Sequence, residues 1–270
     1  YRQYFFSDDD TYVVVPSNGE LALGQSASNP EYAHSHPACG DNTCGQHGGS
    51  VTYDKSLTAI GGALSAEDYY LKHSVTATDN ITISGAVNLC LNGRTLDLDG
   101  HHFIVNNGGS LTICDCGSGG TIIGGSAEQG GAVLVNSSGS LTLHSGSITG
   151  NTASGGGGGF SGSNRAGGGA VCVNGGSFNM TGGSIENNTA NLTYKNDGGG
   201  AVLIKNGSFN MSGGFITGNS VSGHNNITGG GVYVNSGTFT MTNGVISNNS
   251  AAYGGGVTVF KGTAGESSFT

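Results

Sequence analysis

The densest group of metal-binding side chains lies in AHSHPACGDNTCGQHGG, where His34, His36, Cys39, Cys44 and His47 share one short loop containing Gly and Asn. Imidazole and thiolate are the usual ligands of tetrahedral zinc, and any four of these five residues could close such a site. His36, Cys39, Cys44 and His47 form the favoured set, with His34 as a substitute. The alternative is a Cys39–Cys44 disulfide with three incidental histidines, as suits an extracellular chain. In either case the loop is structural, because a full ligand set leaves no open position for a substrate.

Acid-base chemistry has fewer candidates. Glycoside cleavage needs two positioned carboxylates, and a calcium-dependent lyase needs an oxygen-rich cage. Asp97, Asp99 and Asp115, near His101 and His102, are the best catalytic or calcium-binding candidates, although DLDGHH also reads as a polar turn after a strand. Beyond residue 129 the acids are Glu186, Asp197 and Glu266, and no two fall at the same strand position of adjacent repeats. No serine sits in a GxSxG elbow between a strand and a helix. Among the remaining cysteines, Cys90 is expected to point outward beside Thr112, with Cys114 or Cys116 within reach of a disulfide. A Cys114-x-Cys116 metal pair is the alternative, and Cys172 has no evident partner.

The element that must position these residues is a phrase repeated from Gly130 onward: GGAVLVNSSGSLTLHSGSITGN, GGGAVCVNGGSFNMTGGSIENN, GGGAVLIKNGSFNMSGGFITGN and GGGVYVNSGTFTMTNGVISNN, then a further copy that stops at Phe269-Thr270. Phe178, Phe209, Phe239 and Phe269 recur about thirty residues apart, a period characteristic of solenoids. Within one copy Val171 and Val173, then Phe178 and Met180, then Ile185 follow the two-residue spacing of strands. The chain is therefore predicted to be all-β, a parallel β-helix with three short strands per coil and about seven coils. Asn151, Asn188, Asn219 and Asn249 occupy one position in successive coils, each after Gly or Asn. That pattern suits a left-handed residue followed by a side-chain amide ladder.

Earlier, less regular coils begin near Tyr69, with Ile81/Ile83, Leu89/Leu91, Leu96/Leu98, Phe103/Val105 and Leu111/Ile113 as inward pairs. The expected division is residues 1–50 as an N-terminal cap or linker holding the 34–47 loop, and 51–270 as the β-helix with a truncated last coil. The opening at Tyr1 and the stop in mid-strand read as a piece of a longer protein.

Binding could use two places. The outward position of the first strand reads Leu134, Cys172, Leu203, Tyr233, Thr258, an apolar stripe that either faces solvent or is covered by another part of the chain. The connections after the Asn positions vary in length, and Phe160, Arg165, Tyr194, Lys195, His224 and Tyr253 are concentrated there. Aromatic and cationic side chains on such an edge can stack on sugar rings or grip a protein. A net charge of −9 with only 8 Lys plus Arg argues against a nucleic-acid partner, and no apolar run reaches membrane-spanning length.

GGAV followed by SFNMTGG resembles the GGA(I/V/L) and FxxN-like repeats of chlamydial polymorphic outer membrane proteins. HSHPACG, YYL, NLCLNG and LTICDCGSG ahead of such repeats resemble the large secreted or wall-attached β-helix proteins of gut-dwelling Gram-positive bacteria. The likeness covers residues from about 31 to 270. It implies a right-handed, pectin-lyase-like helix, export to the cell surface, and adhesion to a host glycan or host surface protein. A spacer stalk and a polysaccharide lyase or glycoside hydrolase are the alternatives, since this fold hosts all three.

Overall fold

The structure, a computed structural model, describes residues 4–6, 12–14, 22–23, 34–37, 50–53, 55–155, 166–193, 198–225, 227–260 and 267–270. The chain divides into two compact units, Tyr1–His34 and Ser35–Thr270. In the first, Tyr4–Phe6, Tyr12–Val14 and Ala22–Leu23 form a three-stranded antiparallel sheet.

From Lys55 onward the second unit is a parallel β-helix, and its coils present three long faces. In the regular coils the first face is made by Val133–Val135, Val171–Asn174, Val202–Lys205, Val232–Val234 and Val257–Val259. The second consists of Ser140–Leu143, Ser177–Met180, Gly207–Met211, Gly237–Met241 and Ser267–Phe269. The third consists of Ser147–Thr149, Ser184–Glu186, Phe215–Thr217 and Val245–Ser247. In the early coils the nine-residue strand Val75–Ile83 pairs through Val75 with Leu96 and through Ile81 with Phe103, joining the first and third faces into one sheet.

Identical residues stack because every coil repeats the same alternation. Val171 pairs with Val202, Met180 with Met211 and Ile185 with Ile216, all fully buried or nearly so. The Phe178, Phe209, Phe239 and Phe269 rings stack nearly parallel, with centroids 4.5, 4.8 and 5.0 Å apart. These separations match the spacing of adjacent strands, so ring stacking and backbone pairing reinforce one another.

At the corner after the third face, Asn151 Nδ2 donates to Asn188 Oδ1 at 3.0 Å, Asn188 Nδ2 to Asn219 Oδ1 at 2.9 Å, and Asn219 Nδ2 to Asn249 Oδ1 at 2.9 Å. Each oxygen also accepts the backbone N–H of the Asn one coil earlier, at 2.9–3.0 Å. The residue before each Asn is left-handed: Gly150 at φ 67°, Asn187 at 55°, Gly218 at 67° and Asn248 at 55°. Only Gly and Asn adopt this conformation at low cost, which accounts for the Gly/Asn-Asn signature. The ladder ends at Gly125, whose N–H donates to Asn151 Oδ1 at 2.8 Å. A Cβ there would collide with the Gly131 carbonyl oxygen and press on both Asn151 Oδ1 and Leu98 Cδ1, so the first rung of the ladder requires glycine at 125.

One expectation is corrected. Four successive coils have a fourth short strand after the corner that follows the third face, at Ser126–Ala127, Thr152–Gly155, Thr189–Leu192 and Ser220–Gly223. Its inward residues Ala153, Ala190, Leu192 and Val221 form a small second core with Ala166 and Ile227. A strand with one small apolar residue between polar ones carries little periodic signal, so this stretch reads as loop.

Removing an amide from the middle of the ladder orphans groups above and below it. Asn219→Ala should lower stability by about 3 kcal/mol, since each unsatisfied buried group costs about 1–3 kcal/mol. Asn210→Ala, at an exposed amide pair on the second face, should change stability by less than about 0.5 kcal/mol. Urea unfolding followed by circular dichroism measures both.

Candidate ligand-binding groove

The outward positions of the second face are chemically uniform. Between the inward Val, Leu or Phe and the inward Met, Ile or Leu of each coil stand Asn88, Thr112, Thr142, Asn179, Asn210 and Thr240, in register across the sheet. A second outward row follows at His144, Thr181 and Ser212. Together Thr112, Thr142, His144, Asn179, Thr181, Asn210 and Ser212 line a groove of about 440 Å³. Its lining holds amides, hydroxyls and one imidazole, with no carboxylate, ammonium or guanidinium among the described residues.

The side chains are held in place by their neighbours. Asn210 Nδ2 donates to Asn179 Oδ1 at 3.1 Å, and His144 Nδ1 lies 2.6 Å from Thr181 Oγ1. His144 is buried at 7% exposure, whereas Thr142 and Asn179 are half-buried and Asn210 and Ser212 are exposed. The result is a fixed strip of hydrogen-bonding groups repeating at the coil spacing, about 4.8 Å.

The acids singled out from sequence lie elsewhere. Both Asp115 oxygens are occupied by backbone N–H groups, Oδ1 by Gly93 at 2.6 Å and Oδ2 by Gly120 at 2.9 Å, so Asp115 clamps two turns. Asp97 Oδ1 accepts the N–H of Asp99 at 3.0 Å, and Asp99 is a left-handed turn residue at φ 46°. DLDGHH is therefore a turn with an internal side-chain bond. Among the described residues no three His, Cys, Asp or Glu side chains gather as a metal site.

The first-face stripe has the expected register, Leu134 beside Cys172, then Leu203, Tyr233 and Thr258. It does not form an open surface. Cys172, Leu203 and Tyr233 are fully buried together, with Leu134 packed against them, so Tyr233 is not available to a ligand. Burial pushes the Cys172 thiol up to about 12, with Lys205 opposing. Alternation identifies which side of a sheet a residue takes, but not what covers that side.

Cys90 also departs from expectation. It pairs directly with Cys114 rather than standing beside Thr112, which is opposite Asn88. On the loop edge, Tyr253 is 59% exposed and His224 is half-buried, its N–H donating to Leu192 O at 2.9 Å. Phe160, Arg165, Tyr194 and Lys195 lie outside the described residues, as do Cys39, Cys44 and His47. His34 and His36 fall in the strand His34–Pro37. No helix among the described residues is long and apolar enough to cross a membrane.

Compared with protein-family models, curated proteins and solved structures, the chain matches none.

His102 supplies a pH test. Its Nδ1 lies 3.1 Å from Gly130 O, which fixes the neutral ring as the Nδ1–H tautomer. Burial, aided by neighbouring His101, pulls its pKa below the ordinary 6.5, with the Gly130 bond opposing. Below about pH 6.5 the unfolded chain binds a proton that the native state resists. The His102 contribution is therefore complete above that pH and is lost as pH falls below it. His102→Gln should flatten the decline of the unfolding midpoint between about pH 7 and 5.

Proposed function

We propose that this chain is a non-enzymatic, bacterial cell-surface β-helix that binds a neutral glycan along its second face. The observation supporting the reading is the composition and regularity of the groove: amide and hydroxyl groups at coil spacing, with no charged group in the lining. Sugar hydroxyls are both donors and acceptors, and a strip of Asn, Thr and Ser offers both. A chain of repeating saccharides can satisfy many such groups at once. The absence of a charge in the lining favours neutral over acidic polymers. The surface setting rests on the resemblance of the repeats to those of secreted and wall-attached β-helices.

The proposal moves the binding surface from the variable loop edge to the flat face of the coil. Titration of the full chain against neutral polysaccharides, including a β-glucan, a xylan and a galactomannan, tests it. Asn179→Ala with Asn210→Ala should weaken binding at least about tenfold, since each lost hydrogen bond is worth about 1 kcal/mol. Melting should be unchanged. If Tyr253→Ala abolishes binding and the double variant does not, the loop edge is the site. Binding to none of the polymers would leave the spacer-stalk reading, and release of shorter products would replace it with a lyase or hydrolase.

A further inference from the structure

Three thiols meet at the early end of the second face. Cys90 and Cys114 end the neighbouring parallel strands Ala86–Cys90 and Ser110–Cys114 and lie opposite one another in register. Both are buried, while Cys116, two residues further along, is exposed. Cys90 Sγ lies 3.2 Å from Cys116 Sγ. Cys114 Sγ is 3.1 Å from the hydroxyl of Tyr53, a fully buried residue. Cys90 therefore touches both other thiols, and of those two Cys114 is also engaged by a phenol while Cys116 is exposed.

We propose that Cys90 and Cys116 are a redox-active pair that closes into a disulfide between consecutive coils, with Cys116 as the entry thiol and Cys114 remaining reduced. Exposure decides the order of events. The Cys116 thiolate attacks one sulfur of a small-molecule disulfide, the S–S bond breaks, and the departing thiolate takes up a proton. Cys116 is then a mixed disulfide. The Cys90 thiol loses its proton to solvent and its sulfur attacks Cys116 Sγ. The bond to the small molecule breaks and a second thiolate leaves and is protonated. Two protein thiols are oxidised and one small disulfide is reduced to two thiols, so atoms and electrons balance.

The environment of Cys90 suits the second, resolving step. Its thiol is pushed up to about 12, chiefly by the Cys114 thiol and also by burial, with Cys116 opposing. A thiol held in that form is a poor first nucleophile in solution. It can still attack a sulfur already delivered beside it. The bond would tie the turn after Ser110–Cys114 to the strand one coil earlier, near the start of the parallel stack.

The test uses the full chain with oxidised glutathione as the oxidant. Remaining thiols are alkylated, and the digest is read by mass spectrometry without reduction. The expected product links the Cys90 peptide to the peptide containing Cys114 and Cys116, and Cys114 carries the alkyl group. Cys114→Ser should give the same link. Cys90→Ser should stop at a single glutathione on Cys116. Cys116→Ser should slow loss of the Cys90 thiol at least tenfold. A Cys90–Cys114 link would overturn the proposal. So would three alkylated thiols after oxidation, or oxidation of Cys90 at an unchanged rate in Cys116→Ser. Circular dichroism of each variant confirms that the β-helix is intact.

Discussion

The asparagine ladder is the constraint on which the regular part of the molecule depends. A coil of this chain has few inward side chains and many glycines, and it cannot bury an apolar face by itself. Stacking solves that problem only if successive coils keep their strands in register. The amides of Asn151, Asn188, Asn219 and Asn249 enforce this, because each must reach both the backbone and the side chain of the next coil. Insertion of one residue in a strand would move the amide off the column and turn an inward Val or Phe outward. The large variation in length lies in the connection after the ladder, whereas the turn between the first and second faces differs by only one residue among these coils.

The same register produces the polar strip of the second face. Once Phe178, Phe209 and Phe239 are stacked inward, the residues that follow them must point outward in line. A repeated side chain then becomes a row. This is how Thr142, Asn179 and Asn210, unremarkable singly, come to form a continuous edge of donors and acceptors. The proposed ligand binding would follow from periodicity rather than from a pocket built by distant segments. The acids follow a different logic: Asp115 accepts turn N–H groups at both oxygens, and Asp97 accepts one at Oδ1.

Much of the fold was legible because it is written in repeated, strongly apolar positions. The inward columns, the amide ladder and its left-handed partners were all readable from spacing. The fourth strand was not, since Ala153 and Ala190 are small and their neighbours polar. The register of Cys90 was misjudged by two residues, in the irregular coils where no repeat fixes the alignment. The first-face stripe was placed on the correct side but proved to be covered. The groove was missed for a chemical reason: Thr, Asn and Ser are what any solvated sheet displays. The available signal was their constant place between two inward apolar residues, coil after coil.

A crystal structure of the full chain soaked with an oligosaccharide drawn from a bound neutral polymer would test the central claim most directly. The account predicts sugar density lying across the coils on the second face, with hydroxyls within hydrogen-bond distance of Thr142, Asn179 and Asn210. Density confined to the loop edge around Tyr253, with the second face bare, would contradict it.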